Sequence, residues 1–190
     1  MRQTLKTLNK HLKSSQFKYN LKRINKAYFF AKKIYQNQIR QTGEALIKHP
    51  LAVAISLTDW GLDQLSIEAG LLHEVPEVLP KEYKELITDN FGPEILGLVE
   101  GVHRVGQIKL RGSKDVHFLE NLRKMFVAMA QDARVVLIRL ADRLHNISPR
   151  DAIPISKQKR IATETLEIYA PLAERLGMGK LKGDLEDLVF

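Results

Sequence analysis

The chain has 190 residues, of which 44% are hydrophobic and 27% charged, and it contains no cysteine. That composition suits one globular domain with a substantial core and excludes a disordered chain, a disulfide framework and a thiolate zinc site. The net charge of +8 is uneven: residues 1–43 hold eleven Lys or Arg and no Asp or Glu, an asymmetry that attracts nucleotides, RNA or acidic surfaces and equally fits a solvated helix face. No stretch approaches the roughly 18 apolar residues of a membrane span, and no secretory h-region is visible, so a cytoplasmic protein without a membrane partner is expected.

In chain order, Leu5, Leu8 and Leu12 repeat at helical spacing, and Leu21, Ile24, Tyr28, Ala31, Tyr35 and Ile39 form the apolar stripe of a second helix. An apolar segment from about Leu46 to Trp60 follows. Gly61 reads as its stop and Asp63 as the N-cap of a helix carrying Leu65, Ala69 and Leu72. Pro80 is expected to open a short helix through Leu86, and Pro93 sits in the first turn of another through Ile95, Leu98 and Val99. Residues 105–114 read as a loop and Val116 to Ala130 as a long helix. Asp132 caps its successor, in which β-branched residues argue for a strand, but Leu137, Leu140, Ala141 and Leu144 make a helical stripe. A polar segment leads to a helix through Ile161, Leu166 and Tyr169, and Leu181, Leu185 and Leu188 close the chain. The fold class is all-α.

Four positions carry the chemistry: His49, the adjacent His73 and Glu74, and Asp142, each among apolar neighbours. Imidazole and carboxylate together suit Mn, Fe, Zn or Mg, and helix packing is able to fix their convergence. His73 and Glu77 lie four apart, as do Asp142 and Asn146, so each pair is expected to share a helix face. Taken singly, each of these residues also serves as a cap or an ion-pair partner, and Asp142 has Arg139 and Arg143 beside it.

Ordered blocks along the chain carry a resemblance: Arg40 to Gly43 (RQTG), His49 to Leu51 (HPL), Leu71 to Val75 (LLHEV), Phe91 and Gly92, Leu98 to Val102 (LVEGV), Glu120 to Met125 (ENLRKM), Arg139 to Asn146 (RLADRLHN) and Glu164 to Ala173 (ETLEIYAPLA). From about residue 27 to 190 the chain resembles the HD-type hydrolase domain of the long RelA/SpoT enzymes, which make and degrade guanosine tetra- and pentaphosphate. Residues 1–26 then form a basic helical extension. The resemblance implies an HD-domain helical bundle and a Mn²⁺ site made by His49, His73, Glu74 and Asp142. It implies guanosine-nucleotide contacts from Arg40, Gln41, Thr42 and Asn146, and proton handling by Glu77.

The chain departs from the family pattern at several of these positions. Glu74 replaces an Asp, moving its oxygens outward by one methylene. Val78 replaces the second carboxylate of a Glu-Asp pair and is unable to transfer a proton. Pro76 removes a backbone donor or ends the helix. Gln41 lacks the charge of a lysine, and Ile147, Ser148 and Pro149 replace a Met-Arg-Thr run. Two readings stand: hydrolysis of the 3′-diphosphate to give pyrophosphate and GDP or GTP, and a silent alarmone-binding or regulatory domain. A third, RNA binding through the basic helices with Tyr28, Phe29 and Phe30, lacks a recognised RNA module, and core use of those aromatics is simpler.

Overall fold

The computed structural model of the protein describes residues 4–40, 42–107, 131–147 and 155–187, with Arg123 and Val127 between. The expected site residue Gln41, residues 108–114 of the expected loop 105–114, almost all of the expected helix Val116 to Ala130, Pro149 and the side chain of Ile161 lie outside the described residues, and residues 105–107 of that loop are helical, with Val105 buried.

Among the described residues all regular structure is helical, apart from one isolated antiparallel bridge between Ile39 and Ala45. The helices are α1 (Leu5–Ser14), α2 (Leu21–Ile34), α3 (Lys48–Asp59), α4 (Gln64–Leu72), α5 (Val75–Val78), α6 (Tyr83–Phe91), α7 (Pro93–Gln107) and α8 (Ala133–Ile147). After them come α9 (Ile155–Glu164), a π turn (Thr165–Tyr169), α10 (Ala170–Arg175) and α11 (Gly179–Asp187). Side chains cap several starts: Thr4 accepts from the Thr7 amide, Asn20 from Arg23 and Asp63 from Ser66. Asp132 accepts from the Arg134 amide at the head of α8.

α1 and α2 are amphipathic, burying Leu8 and Leu12, and Ile24, Ala27, Tyr28 and Ala31. The α2 stripe stops short of Ile39, because the helix ends at Ile34 and the chain turns into the bridged hairpin. Pro80 likewise precedes its helix, which begins at Tyr83. Tyr28 is buried and Phe30 stacks edge-on against Phe91 with ring centroids 5.1 Å apart, whereas Phe29 is 57% exposed.

α3 and α4 are apolar on nearly every side, as helices at the centre of a bundle must be. α3 packs on α1, α4 and α8, and α4 packs on α2, α3, α7 and α8. The one carboxylate on the buried length of α4, Glu68, is fully buried and held by Arg23 Nε at 3.0 Å and Gln64 Nε2 at 2.7 Å, so α2 is tied to α4 by charge as well as by apolar contact. Two glycines set how closely the central helices approach. A Cβ on Gly70 would lie 2.6 Å from Leu57 of α3, and a Cβ on Gly101 would lie 2.6 Å from Val135 of α8. The Gly70 crossing seats α4 on α3, and the Gly101 crossing seats α7 on the first turn of α8.

Candidate metal centre

His49 lies in the first turn of α3, His73 is the residue that ends α4, Glu74 follows it in the turn before α5, and Asp142 lies within α8. One ligand atom from each of the four falls within 4.8 Å of all the others. His49 Nε2 is 3.0 Å from Asp142 Oδ1 and 3.5 Å from Glu74 Oε1. His73 Nε2 is 3.6 Å from Glu74 Oε1 and 3.7 Å from Asp142 Oδ1, beyond hydrogen-bonding distance from both. His49, His73 and Asp142 are buried and Glu74 is half-buried.

The tautomer of His73 is set from behind. Its Nδ1 donates to the Gly70 carbonyl at 2.7 Å, which leaves Nε2 as a lone pair facing two carboxylates. That Nε2 is buried without a hydrogen-bond partner. An orphaned buried nitrogen among carboxylates fits a divalent cation, and two imidazoles with two carboxylates are a ligand set such ions accept.

The electrostatics follow from the same crowding. Burial pulls the His73 pKa down, but Asp142, Glu74 and the Gly70 carbonyl outweigh it and the imidazole is raised. Burial wins at His49, helped by His73 and Arg40, and lowers it despite the bond to Asp142. Burial works against ionised Asp142, yet Arg139 and the two imidazoles hold its carboxyl well below the usual range. Arg139 Nη1 donates to Asp142 Oδ2, so the Arg139 pairing that its position three residues away allows is made. Arg143 instead pairs with Glu164 and stacks over the Tyr169 ring at 4.6 Å.

Above Asp142 a polar line leads outward. Asn146 Nδ2 donates to Asp142 Oδ1 at 2.6 Å, and Arg40 Nη2 donates to Asn146 Oδ1 at 2.5 Å. Asp142 and Asn146 therefore share a face of α8. Arg40 is delivered by the hairpin that closes with Arg40 N on the Glu44 carbonyl at 2.8 Å. Thr42 lies in the same hairpin, with its Oγ1 buried and unpartnered.

The expected face shared by His73 and Glu77 is not formed. α4 stops at Leu72, and Pro76 sits in the first turn of the separate α5, where its missing N–H costs nothing. Glu77 is 63% exposed and pairs with His103 Nδ1 of α7 at 3.3 Å. His103, together with the Ser56 hydroxyl that lies 2.9 Å from His145 Nε2, escaped sequence reasoning, because neither pairing has a local spacing to announce it.

The sequence profile of a family described as "HD domain" matches residues 27–179. The chain is 45% identical over 170 residues to the bifunctional (p)ppGpp synthase/hydrolase SpoT of Escherichia coli K12, covering 90% of this chain and 24% of that protein. It is 43% identical over 176 residues to a guanosine-3′,5′-bis(diphosphate) 3′-pyrophosphohydrolase of Aquifex aeolicus, covering 93% and 25%. A GTP pyrophosphokinase of Myxococcus xanthus is 46% identical over 170 residues, covering 88% and 22%. The chain thus spans about a quarter of the length of the curated relatives it matches.

Proposed function

The chain belongs to the HD-domain family, and on that premise we propose that it is a metal-dependent phosphohydrolase domain acting on the 3′-diphosphate of guanosine tetra- or pentaphosphate. The observation that carries the reading is the convergence of His49, His73, Glu74 and Asp142 within 4.8 Å. A Mn²⁺ ion held by these four supplies Lewis-acid chemistry, offsetting phosphate charge and acidifying water. In this reading residues 27–190 form the hydrolase-like domain, and residues 1–26 a basic extension seated on it through Leu8 and Leu12.

The reaction adds water to the phosphorus joined to O3′ and breaks the O3′–P bond, so pyrophosphate leaves and a proton goes to O3′, giving GDP or GTP. Arg40, held by Asn146 beside the ligand cluster, is the cation that receives the guanine face or a phosphate oxygen. Thr42 brings a hydroxyl with hydrogen-bonding capacity to spare. Gln41 completes that segment. Glu77, steadied by His103, takes and returns the proton.

A second reading, a silent domain that binds the alarmone without cleaving it, is favoured by the exposure of Glu77 and by Val78 where a second carboxylate would stand. One assay separates the two: pyrophosphate release from guanosine tetraphosphate with Mn²⁺, with and without chelator, in the parent and in His73→Ala. Chelator-sensitive release lost in His73→Ala is the expected result. Folded parent protein that binds the nucleotide and releases nothing would establish the silent domain instead.

A further inference from the structure

Arg139 is the one strong cation in direct contact with the ligand cluster among the described residues, and its geometry is asymmetric. Nη1 donates to Asp142 Oδ2, the oxygen turned away from the imidazoles. Asp142 Oδ1, the oxygen facing them, is held separately by His49 Nε2 at 3.0 Å and Asn146 Nδ2 at 2.6 Å. Removing Arg139 therefore leaves the ligating oxygen in place. The guanidinium is largely buried, packed against Gly106 of α7, and its Nε has no partner. Its charge is permanent at any working pH.

We propose that Arg139 is an internal competitor for the metal: it neutralises Asp142 from behind, occupies charge that a divalent cation would otherwise use, and so weakens ion binding to the His49, His73, Glu74 and Asp142 cluster. The inference rests on the metal reading above and adds to it a residue that tunes affinity without touching the ion.

Two cations that share a single buried carboxylate repel one another in a medium far less polarisable than water, so each raises the cost of holding the other. An ion-free cluster with Arg139 in place has a satisfied Asp142. Without Arg139, Asp142 Oδ2 loses its partner, the ion-free protein is less stable, and binding a cation recovers more free energy. Both effects act in the same direction. Arg139 would then keep the centre exchangeable, loading when the ion is plentiful.

The test is Mn²⁺ titration by calorimetry on the parent, Arg139→Gln and Arg139→Lys, with folding checked by circular dichroism. Gln keeps an N–H for Oδ2 and discards the charge, whereas Lys keeps the charge. Arg139→Gln is expected to bind Mn²⁺ at least roughly tenfold more tightly than the parent, and Arg139→Lys within about threefold of it. Unchanged or weaker binding by a folded Arg139→Gln, beside a parent that binds, overturns the inference and leaves the metal reading intact. If neither the parent nor either variant binds Mn²⁺, the metal reading falls and takes this inference with it. Should Arg139→Gln fail to fold, the Lys variant with Mn²⁺ affinity lowered more than tenfold would show that Arg139 positions Asp142 rather than competing, which also overturns it.

Discussion

Glu77 leans on His103 of α7, outside the buried cluster, so its carboxylate has a fixed neighbour and access to water. If Glu77 moves the proton, Glu77→Gln is expected to lower turnover by about 10²- to 10⁴-fold. His103→Ala, which removes only the support, should lower it by roughly tenfold with KM unchanged, both read from initial rates of pyrophosphate release. His145 offers a test by pH. Burial, with the nearby His49, lowers its pKa from 6.5 to about 4, and its Nε2 lies 2.9 Å from the Ser56 hydroxyl. The folded protein keeps this imidazole neutral while the unfolded chain protonates it, so its contribution is present above pH 6.5 and is lost as pH falls towards 4. The loss should be about 2–3 kcal/mol, seen in urea midpoints at pH 7 and pH 4.5, and the slope should flatten in His145→Gln. Neither partnership was legible in the sequence. His103 and Glu77 lie on different helices, as do His145 and Ser56, and periodicity reports only which face of its own helix a residue occupies. His49, His73, Glu74 and Asp142 were legible because family order ties the four together, and the pairing of Asp142 with Arg139 because three residues is a helical neighbour distance.

Gly97 and Gly101 of α7 occupy opposite situations one turn apart. A Cβ at Gly97 meets nothing within 4 Å, whereas at Gly101 it would lie 2.6 Å from Val135. Gly97→Ala should stabilise the protein by about 0.5–1 kcal/mol through helix propensity alone. Gly101→Ala should destabilise it by about 1–2 kcal/mol, because overpacking against a stiff β-branched side chain outweighs the same propensity gain. Thermal unfolding of the two variants beside the parent checks the difference in sign. Helices with one apolar stripe are largely readable from spacing: α1, α2 and α7 bury most of the residues that their periodicity selects, whereas α8 buries Leu140 and Ala141 of its stripe together with Val135, Val136 and Ile138, and leaves Leu137 and Leu144 half-buried. α4, expected to carry Leu65, Ala69 and Leu72, is buried nearly all round, with Glu68 neutralised by Arg23 and hydrogen-bonded by Gln64. The break at His73 was half visible. Pro76 announced it, but the geometry that turns Glu77 away from His73 belongs to the tertiary packing of α5 against α2 and α7.

Across the whole molecule, the ligand cluster links positions as far apart as His49 and Asp142, 93 residues along the chain. Binding of Mn²⁺ to the folded state alone should stabilise it by about 2.7 kcal/mol at a hundredfold excess over Kd, raising Tm by roughly 5–10 °C. Chelator should reverse the shift, and His73→Ala should abolish it; a parent Tm indifferent to Mn²⁺ would count against the centre. No helix among the described residues is long and apolar enough to cross a membrane. The π turn at Thr165–Tyr169 holds one residue more than an α-helical turn needs, and Tyr169, its last residue, lies under the Arg143 guanidinium. Deleting a single residue there would turn it back into an α-helical turn with the flanking helices nearly in phase, whereas adding one to the segment would swing everything beyond it by about 100°. The ring would leave the guanidinium, and the helix that bears Asp142 would lose its brace. Insertions in this segment should therefore be tolerated far less than the loss of one residue, although no residue of the His49, His73, Glu74 and Asp142 cluster lies within it.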